Sequence, residues 1–215
     1  DEPDPVTTAT RLSIFPLPGA LLFPGLRLPL HIFEPRYRAL ISDAMARDRR
    51  IAMIQPRPDS PSTDPSQPPE LFEIGCVGRI ADIEMLDDGR SNIVLEGIAR
   101  FRLLRELDVT TPFRQVDGEL LTEQEDVALA PIERAGLERE ARRYADAHGY
   151  LVDWEQVARL DDESLVNGIA QIAPFDVAAK QALLESDSIA ERAELTVQLM
   201  QFFSRHDGDD LVTLQ

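Results

Sequence analysis

The spacing of apolar residues changes once along this chain. Up to about residue 124 they come in short runs broken by glycine and proline, and from Pro131 onward they recur at helical spacing. In the first part, Arg11–Phe15 predicts a strand and Pro16-Leu17-Pro18-Gly19 a turn, because proline fixes φ and glycine frees it. Leu21–Phe23, Pro24-Gly25 and Leu28–Phe33 repeat the strand, turn, strand pattern. Pro29 assigns the last run to a sheet edge, since it has no N–H to give a ladder. Glu34-Pro35 predicts a helix start, and Tyr37, Leu40, Ile41, Ala44 and Met45 fall on one face of that helix. Ile51–Ile54 returns to strand.

Residues 56–69 hold six prolines among Ser and Asp with no apolar period, which predicts a mobile surface insertion. Two long β-type runs follow, Phe72–Leu86 and Ser91–Leu107, joined by Asp87-Asp88-Gly89-Arg90. An Asp-Gly pair between apolar runs is a hairpin signal, because such turns need positive φ. Ile93, Leu95, Phe101 and Leu103 share a face under simple alternation, and Gly97 interrupts it as a bulge or bend. Phe113–Leu121 predicts one more strand.

In the second part, Leu137, Ala141, Tyr144, Ala145 and His148 share a helical face. Asp161-Asp162-Glu163-Ser164 opens a helix that runs through Ile172 and stops at Pro174. Asp176–Leu184 is a short helix, and Ser188-Ile189-Ala190-Glu191 a capping box for another. That last helix points Ile189, Ala193, Val197, Met200 and Phe203 inward, and the acidic tail from Asp207 is expected to fray. The expected organisation is a β-rich subdomain over 11–124 and a helical one over 125–206, an α+β protein.

Composition narrows the classes. With 43% hydrophobic and 28% charged residues the chain is an ordinary globular protein, and its 215 residues can bury a core without disulfides or metal. The net charge of −17 repels phosphate backbones and anionic membranes, so neither nucleic acid nor membrane is an expected partner. Solubility accounts for that charge, and a preference for basic partners is the sharper reading of it. Nothing reads as a signal peptide or a membrane span, so the cytoplasm is the expected location.

Catalytic constellations do not emerge. His31, His148 and His206 lie far apart, and Cys76 is the only cysteine, so no metal ligand set and no cofactor is called for. Cys76 reads as a buried small hydrophobe, and Trp154, the only tryptophan, as a buried anchor at the strand–helix junction. There is no phosphate-binding G-x-x-x-x-G-K-[ST]. Lys180 is the only lysine, and its closest following serine, Ser186, falls on another helical face, which leaves no Ser–Lys dyad. Asp161-Asp162 serves better as a helix-start charge than as a glycosidase pair.

Several segments carry a resemblance. Leu12-Ser13-Ile14-Phe15-Pro16-Leu17-Pro18-Gly19 with Phe23-Pro24-Gly25 and Leu28-Pro29-Leu30 resembles the opening of Lon N-terminal domains. Glu73-Ile74-Gly75-Cys76-Val77-Gly78-Arg79-Ile80 resembles their E-x-G-x-x-[AG]-x-I strand, and Val94-Leu95-Glu96-Gly97-Ile98-Ala99-Arg100-Phe101 the strand after their D-G hairpin. Lys180-Gln181-Ala182-Leu183-Leu184-Glu185 with Glu191-Arg192 resembles the K-Q-x-L-L-E…E-R signature near that domain's end.

The resemblance implies a free-standing bacterial relative of the Lon substrate-binding domain, a β-rich PUA-like pseudo-barrel followed by an α-helical bundle. It implies a non-catalytic module binding unfolded or partly folded polypeptides, as an adaptor or chaperone-like factor that works with a Lon-type protease. The alternative is a residual peptidase, or an accessory subunit of such a protease. For an extended peptide adding to a sheet edge, the candidate contacts are Phe33, Glu34, Tyr37 and Arg38.

Overall fold

A computed structural model describes residues 8–59, 67–123 and 128–210, with side chains as far as residue 205. The protein is α+β and divides into two compact units, Asp1–Thr122 and Glu123–Gln215.

The first unit is built on six strands: β1 (Ala9–Phe15), β2 (Arg27–Ile32), β3 (Arg50–Met53), β4 (Ile74–Met85), β5 (Ser91–Glu106) and β6 (Gln115–Leu120). Helix α1 (Pro35–Met45) joins β2 to β3. The sheet order is β2-β5-β4-β3-β1-β6, and β6 pairs back onto β5, which closes five strands into a ring with β2 appended. Only a strand as long as β5 can do this. Its first part, from Ser91 to Glu96, pairs with β2, and its last, from Phe101 to Glu106, pairs with β6. Register shifts at Val77/Gly78, Ile80/Asp82 and Leu103/Arg105 add the bends that such closure requires. Leu12, Ile14, Ala52, Ile54, Val77, Phe101 and Val116 form the core.

Gly97 sits at the first shift, where Val77 pairs with Ala99 but Gly78 pairs with Gly97, leaving Ile98 extra. Its N–H donates to Leu26 O (2.8 Å) and its carbonyl accepts from Gly25 N (2.9 Å). A Cβ there would drive into the Phe23 carbonyl, so this glycine is required by close backbone approach and not by its φ. The hairpin turn instead needs positive φ, and Gly89 supplies it at +85°.

Leu21–Phe23 is not a strand. The three residues are buried in a loop whose entry, from Leu17 to Ala20, is bonded by a side chain from just past the end of β3, while Phe23 O accepts from Leu26 N (3.1 Å). Gln55, itself buried, donates to Leu17 O (2.9 Å) and Ala20 O (2.6 Å) and accepts from Gly19 N (3.0 Å). Alternation could not reveal this, because an apolar loop reads like a buried strand when its backbone finds partners outside a ladder. The Pro-rich insertion is also less loose than expected at its base. Pro56 bridges Leu71, Arg57 N donates to Glu70 O (2.7 Å), and the Arg57 guanidinium lies 4.7 Å from the Phe72 ring centroid. Residues 60–66, where the expected mobility would centre, lie outside the described residues.

The second unit is helical: α2 (Pro131–Ala147), α3 (Trp154–Arg159), α4 (Asp162–Ile172), α5 (Val177–Glu185) and α6 (Ile189–Asp210). Helix α3 has no apolar period to announce it and rests on its Asp153 cap, which accepts from Gln156 N. Trp154 opens this helix and is only half-buried, so it is not the buried strand–helix anchor expected of it. Helix α6 continues through Asp207 to Asp210, although its tail was expected to fray; residues 211–215 lie outside the described residues. The capping box is rearranged: Ser188 Oγ accepts from Glu191 N (3.1 Å), but the Glu191 carboxylate accepts from Asp187 N (3.3 Å).

Two polar clusters knit these helices. Asp161 caps α4 while Asp162 accepts from Leu129 N (2.7 Å) and from Arg134 (2.9 Å), tying the starts of α4 and α2. Arg192 is fully buried and donates to Leu183 O (2.9 Å), Asn167 Oδ1 (2.6 Å) and Ser186 O (3.0 Å), with Glu123 at 3.7 Å. One guanidinium thus holds α4, the end of α5 and α6. A buried arginine is tolerable only when its fork of donors is satisfied in this way.

Candidate functional site

At the β2–α1 corner Phe33, Glu34, Tyr37 and Arg38 stand in different surroundings. Phe33 is 57% exposed and stacks loosely on His31 (5.9 Å). Glu34 pairs with Arg36 (3.0 Å) and makes no side-chain cap. Tyr37 is buried, stacked on Phe15 at 4.1 Å, and burial pushes its phenol pKa up. Arg38 reaches the hairpin turn at Asp88 O (3.4 Å) and lines a hollow with Ile41, Met45 and Met85. Strand β2 is an edge strand, as Pro29 predicted, and the same proline blunts that edge against a further strand.

In the helical unit the concave surface is larger and far less polar. Tyr144 on α2 faces Leu165 and Gly168 on α4 across a groove of about 520 Å³. After α2 the chain turns at Gly149 (φ +70°), and Tyr150 N bonds back to Ala145 O (2.8 Å). That turn carries Tyr150 and Val152 to the groove, and α3 adds Trp154 and Val157. Leu160 and Ile172 complete the rim. The floor is shallow where Gly168 lies, with nothing within 4 Å of a Cβ built on it.

The rim is apolar where helix surfaces are normally charged. Tyr150, Val152, Leu160 and Ile172 are exposed, Ile172 by 78%, and neighbouring Leu151 is completely so. Singly exposed hydrophobics are ordinary, but a cluster around one hollow marks a surface that binds. Ser164 is the one Ser, Thr, amide or charged side chain among the lining residues. The Arg142 guanidinium lies over the Trp154 ring at 4.9 Å, a cation–π contact at the edge of the groove.

Reading by period missed this site. Its members are the apolar residues that the helical faces leave over: Tyr150-Leu151-Val152 after a glycine, Leu160 between two short helices, and Ile172 before Pro174. An apolar run in a loop was the available signal.

Chemistry-bearing residues are committed elsewhere. Lys180 Nζ donates to Gln171 O (2.6 Å) at the end of α4, and burial lowers its pKa. Ser186 Oγ donates to a different carbonyl, that of Ala182 (3.2 Å). Cys76 is buried. Among the described residues no group of three or more His, Cys, Asp or Glu could hold a metal ion, and no helix is long and apolar enough to cross a membrane.

Residues 11–201 match the family model described as the ATP-dependent protease La (LON) substrate-binding domain. Lon protease 2 of Herpetosiphon aurantiacus is 27% identical over 92% of the chain, and Lon protease 1 of Syntrophobacter fumaroxidans 30% identical over 85%. The chain spans about a quarter of the length of these curated relatives (25% and 23%). Among solved structures, a Lon N-terminal domain protein from Xanthomonas campestris aligns with a TM-score of 0.64, covering 86% of this chain and 95% of that one at 21% identity. The N-terminal domain of a Mycobacterium avium complex Lon protease aligns at 0.68, covering 89% and 98% at 16% identity.

Proposed function

The chain belongs to the substrate-binding domain family of the ATP-dependent protease La (Lon), and we propose that it is a non-catalytic module that captures unfolded or partly folded polypeptides. The observation that carries this reading is the apolar groove walled by Tyr144, Tyr150, Trp154 and Ile172. Unfolded chains differ from folded ones chiefly in exposing apolar side chains, and a groove nearly free of charged lining gains free energy from burying them. Main-chain addition at the β2 edge is the weaker route, because Pro29 blunts it.

On this reading the protein works as an adaptor or chaperone-like factor in proteolysis, handing bound chains to a Lon-type protease in the cytoplasm. The same reading takes the first unit as a PUA-like pseudo-barrel and the second as a helical bundle, divided near residue 124. Phe33 and Arg38 remain available as subsidiary contacts at the corner, whereas Tyr37 acts there through packing.

Hydrogen exchange with and without unfolded casein tests the reading. Casein should protect amides in α2, α3 and α4 and should survive incubation with or without ATP. Cleavage of casein, or protection absent from the groove, would overturn the proposal.

A further inference from the structure

The helical unit contains twenty acidic residues against eight basic ones, so it carries −12 of the net −17. The groove-bearing stretch from Ala141 to Pro174 has six acids (Asp146, Asp153, Glu155, Asp161, Asp162 and Glu163) and three bases, Arg142, Arg143 and Arg159. Asp162 is neutralised by Arg134 at 2.9 Å. Asp146, Asp153, Glu155 and Asp161 are exposed and have no ion-pair partner among the described residues. All four flank lining residues directly in the chain: Asp146 after Ala145, Asp153 and Glu155 on either side of Trp154, and Asp161 after Leu160. At the same edge Trp154 already holds a guanidinium over its ring.

We infer that the groove selects apolar segments flanked by arginine or lysine. The inference rests on the groove being the polypeptide site, and adds to it which polypeptides are taken. The apolar side chains of such a segment fill the groove, and its cations fall against the acidic rim and the exposed Tyr150 face. Charge gives the selectivity because like-charged flanks are repelled at the same distance at which opposite ones are drawn in. The same field argues against a second copy of this chain as occupant, since two units of −12 would have to be brought together.

Trp154 is the only tryptophan and lines the groove, so its emission reports occupancy by tryptophan-free peptides. Three peptides decide the matter: a Phe/Leu core with Arg flanks, the same core with Glu flanks, and a Gly/Ser core with Arg flanks. The Arg-flanked apolar peptide should bind about tenfold or more tighter than the Glu-flanked one at low salt, with the gap closing as salt screens the rim. Gly168→Leu fills the floor from inside α4, where a Cβ meets nothing, and should abolish binding at unchanged melting temperature. Asp153→Asn with Asp161→Asn keeps both helix caps and should shrink the charge preference without removing binding.

Equal binding of Arg- and Glu-flanked apolar peptides would overturn the charge selectivity and leave the groove reading intact. Equal binding of the Gly/Ser peptide would show mere charge association and overturn it too. Binding of no peptide would sink the groove itself. A Trp154 shift that follows protein concentration without peptide would identify a second copy as the occupant, against the inference.

Discussion

The two units answer the same problem, closing apolar surface away from water, in opposite ways. In the sheet unit the ladder turns back on itself, and backbones approach until only glycine fits, as at Gly97 beside Phe23 O. Its exposed hydrophobics, such as Phe33, Met85 and Leu120, are scattered along the chain. The helical unit has no such closure. Short helices with side-chain caps leave Tyr150, Leu160 and Ile172 around one open groove, and a buried Arg192 does the holding. Hydrogen-bonded closure consumes its own surface, whereas helices pack through side chains and can leave a gap.

The contrast breaks first at Arg192. Arg192→Ala empties a fully buried guanidinium site and removes its hydrogen bonds to Leu183 O, Asn167 Oδ1 and Ser186 O, and should cost about 3–5 kcal/mol. Urea unfolding followed by Trp154 emission measures it. A loss under a kilocalorie per mole would show that apolar packing alone holds these helices.

Gly97→Val attacks the other unit and should cost roughly 1–3 kcal/mol, the range for forcing atoms into a filled space. Hydrogen exchange in β4 and β5 is the readout. If the variant unfolds no earlier than wild type, the ring has slack and the difference between the units narrows.

Asp161→Ala removes the α4 cap next to the groove, at a cost of about 1 kcal/mol. The cap also has a pH signature. Hydrogen bonds from the Ser164 side chain and backbone N–H hold the Asp161 carboxyl below its ordinary value of 3.8. The folded state therefore binds the proton less readily than the unfolded one. The cap's contribution is fully present above the unfolded value and is lost as pH falls through the folded one. Wild type and Asp161→Asn should diverge in acid melting profiles over that interval, and parallel profiles would exclude the cap as the source.

Gly136→Ala, inside α2 with room around it, should gain up to about 1 kcal/mol from helix propensity. The smallest effect belongs to residues 60–66: a Gly-Ser replacement should leave the melting temperature within a few degrees, about 1 kcal/mol or less at this size. A larger loss would mean that the segment packs on the sheet unit beyond its paired base at Pro56 and Leu71.

Strand and helix periods, the proline at a sheet edge and the Asp-Gly hairpin were all legible in the sequence. Each is set by a residue's own backbone preference or by neighbours three or four positions away. The family was legible too, through ordered motifs from Leu12 to Arg192. Decisions between distant residues were not. The turn from Leu17 to Ala20 that leads into Leu21–Phe23 is bonded by Gln55, more than thirty residues on, and that Gly97 must be glycine depends on Phe23. The groove is the clearest case. Tyr150, Trp154, Leu160 and Ile172 share no period, and only the packing of α2, α3 and α4 makes them neighbours. Local preference is written residue by residue, but a concave surface exists only after long-range contacts have placed its walls.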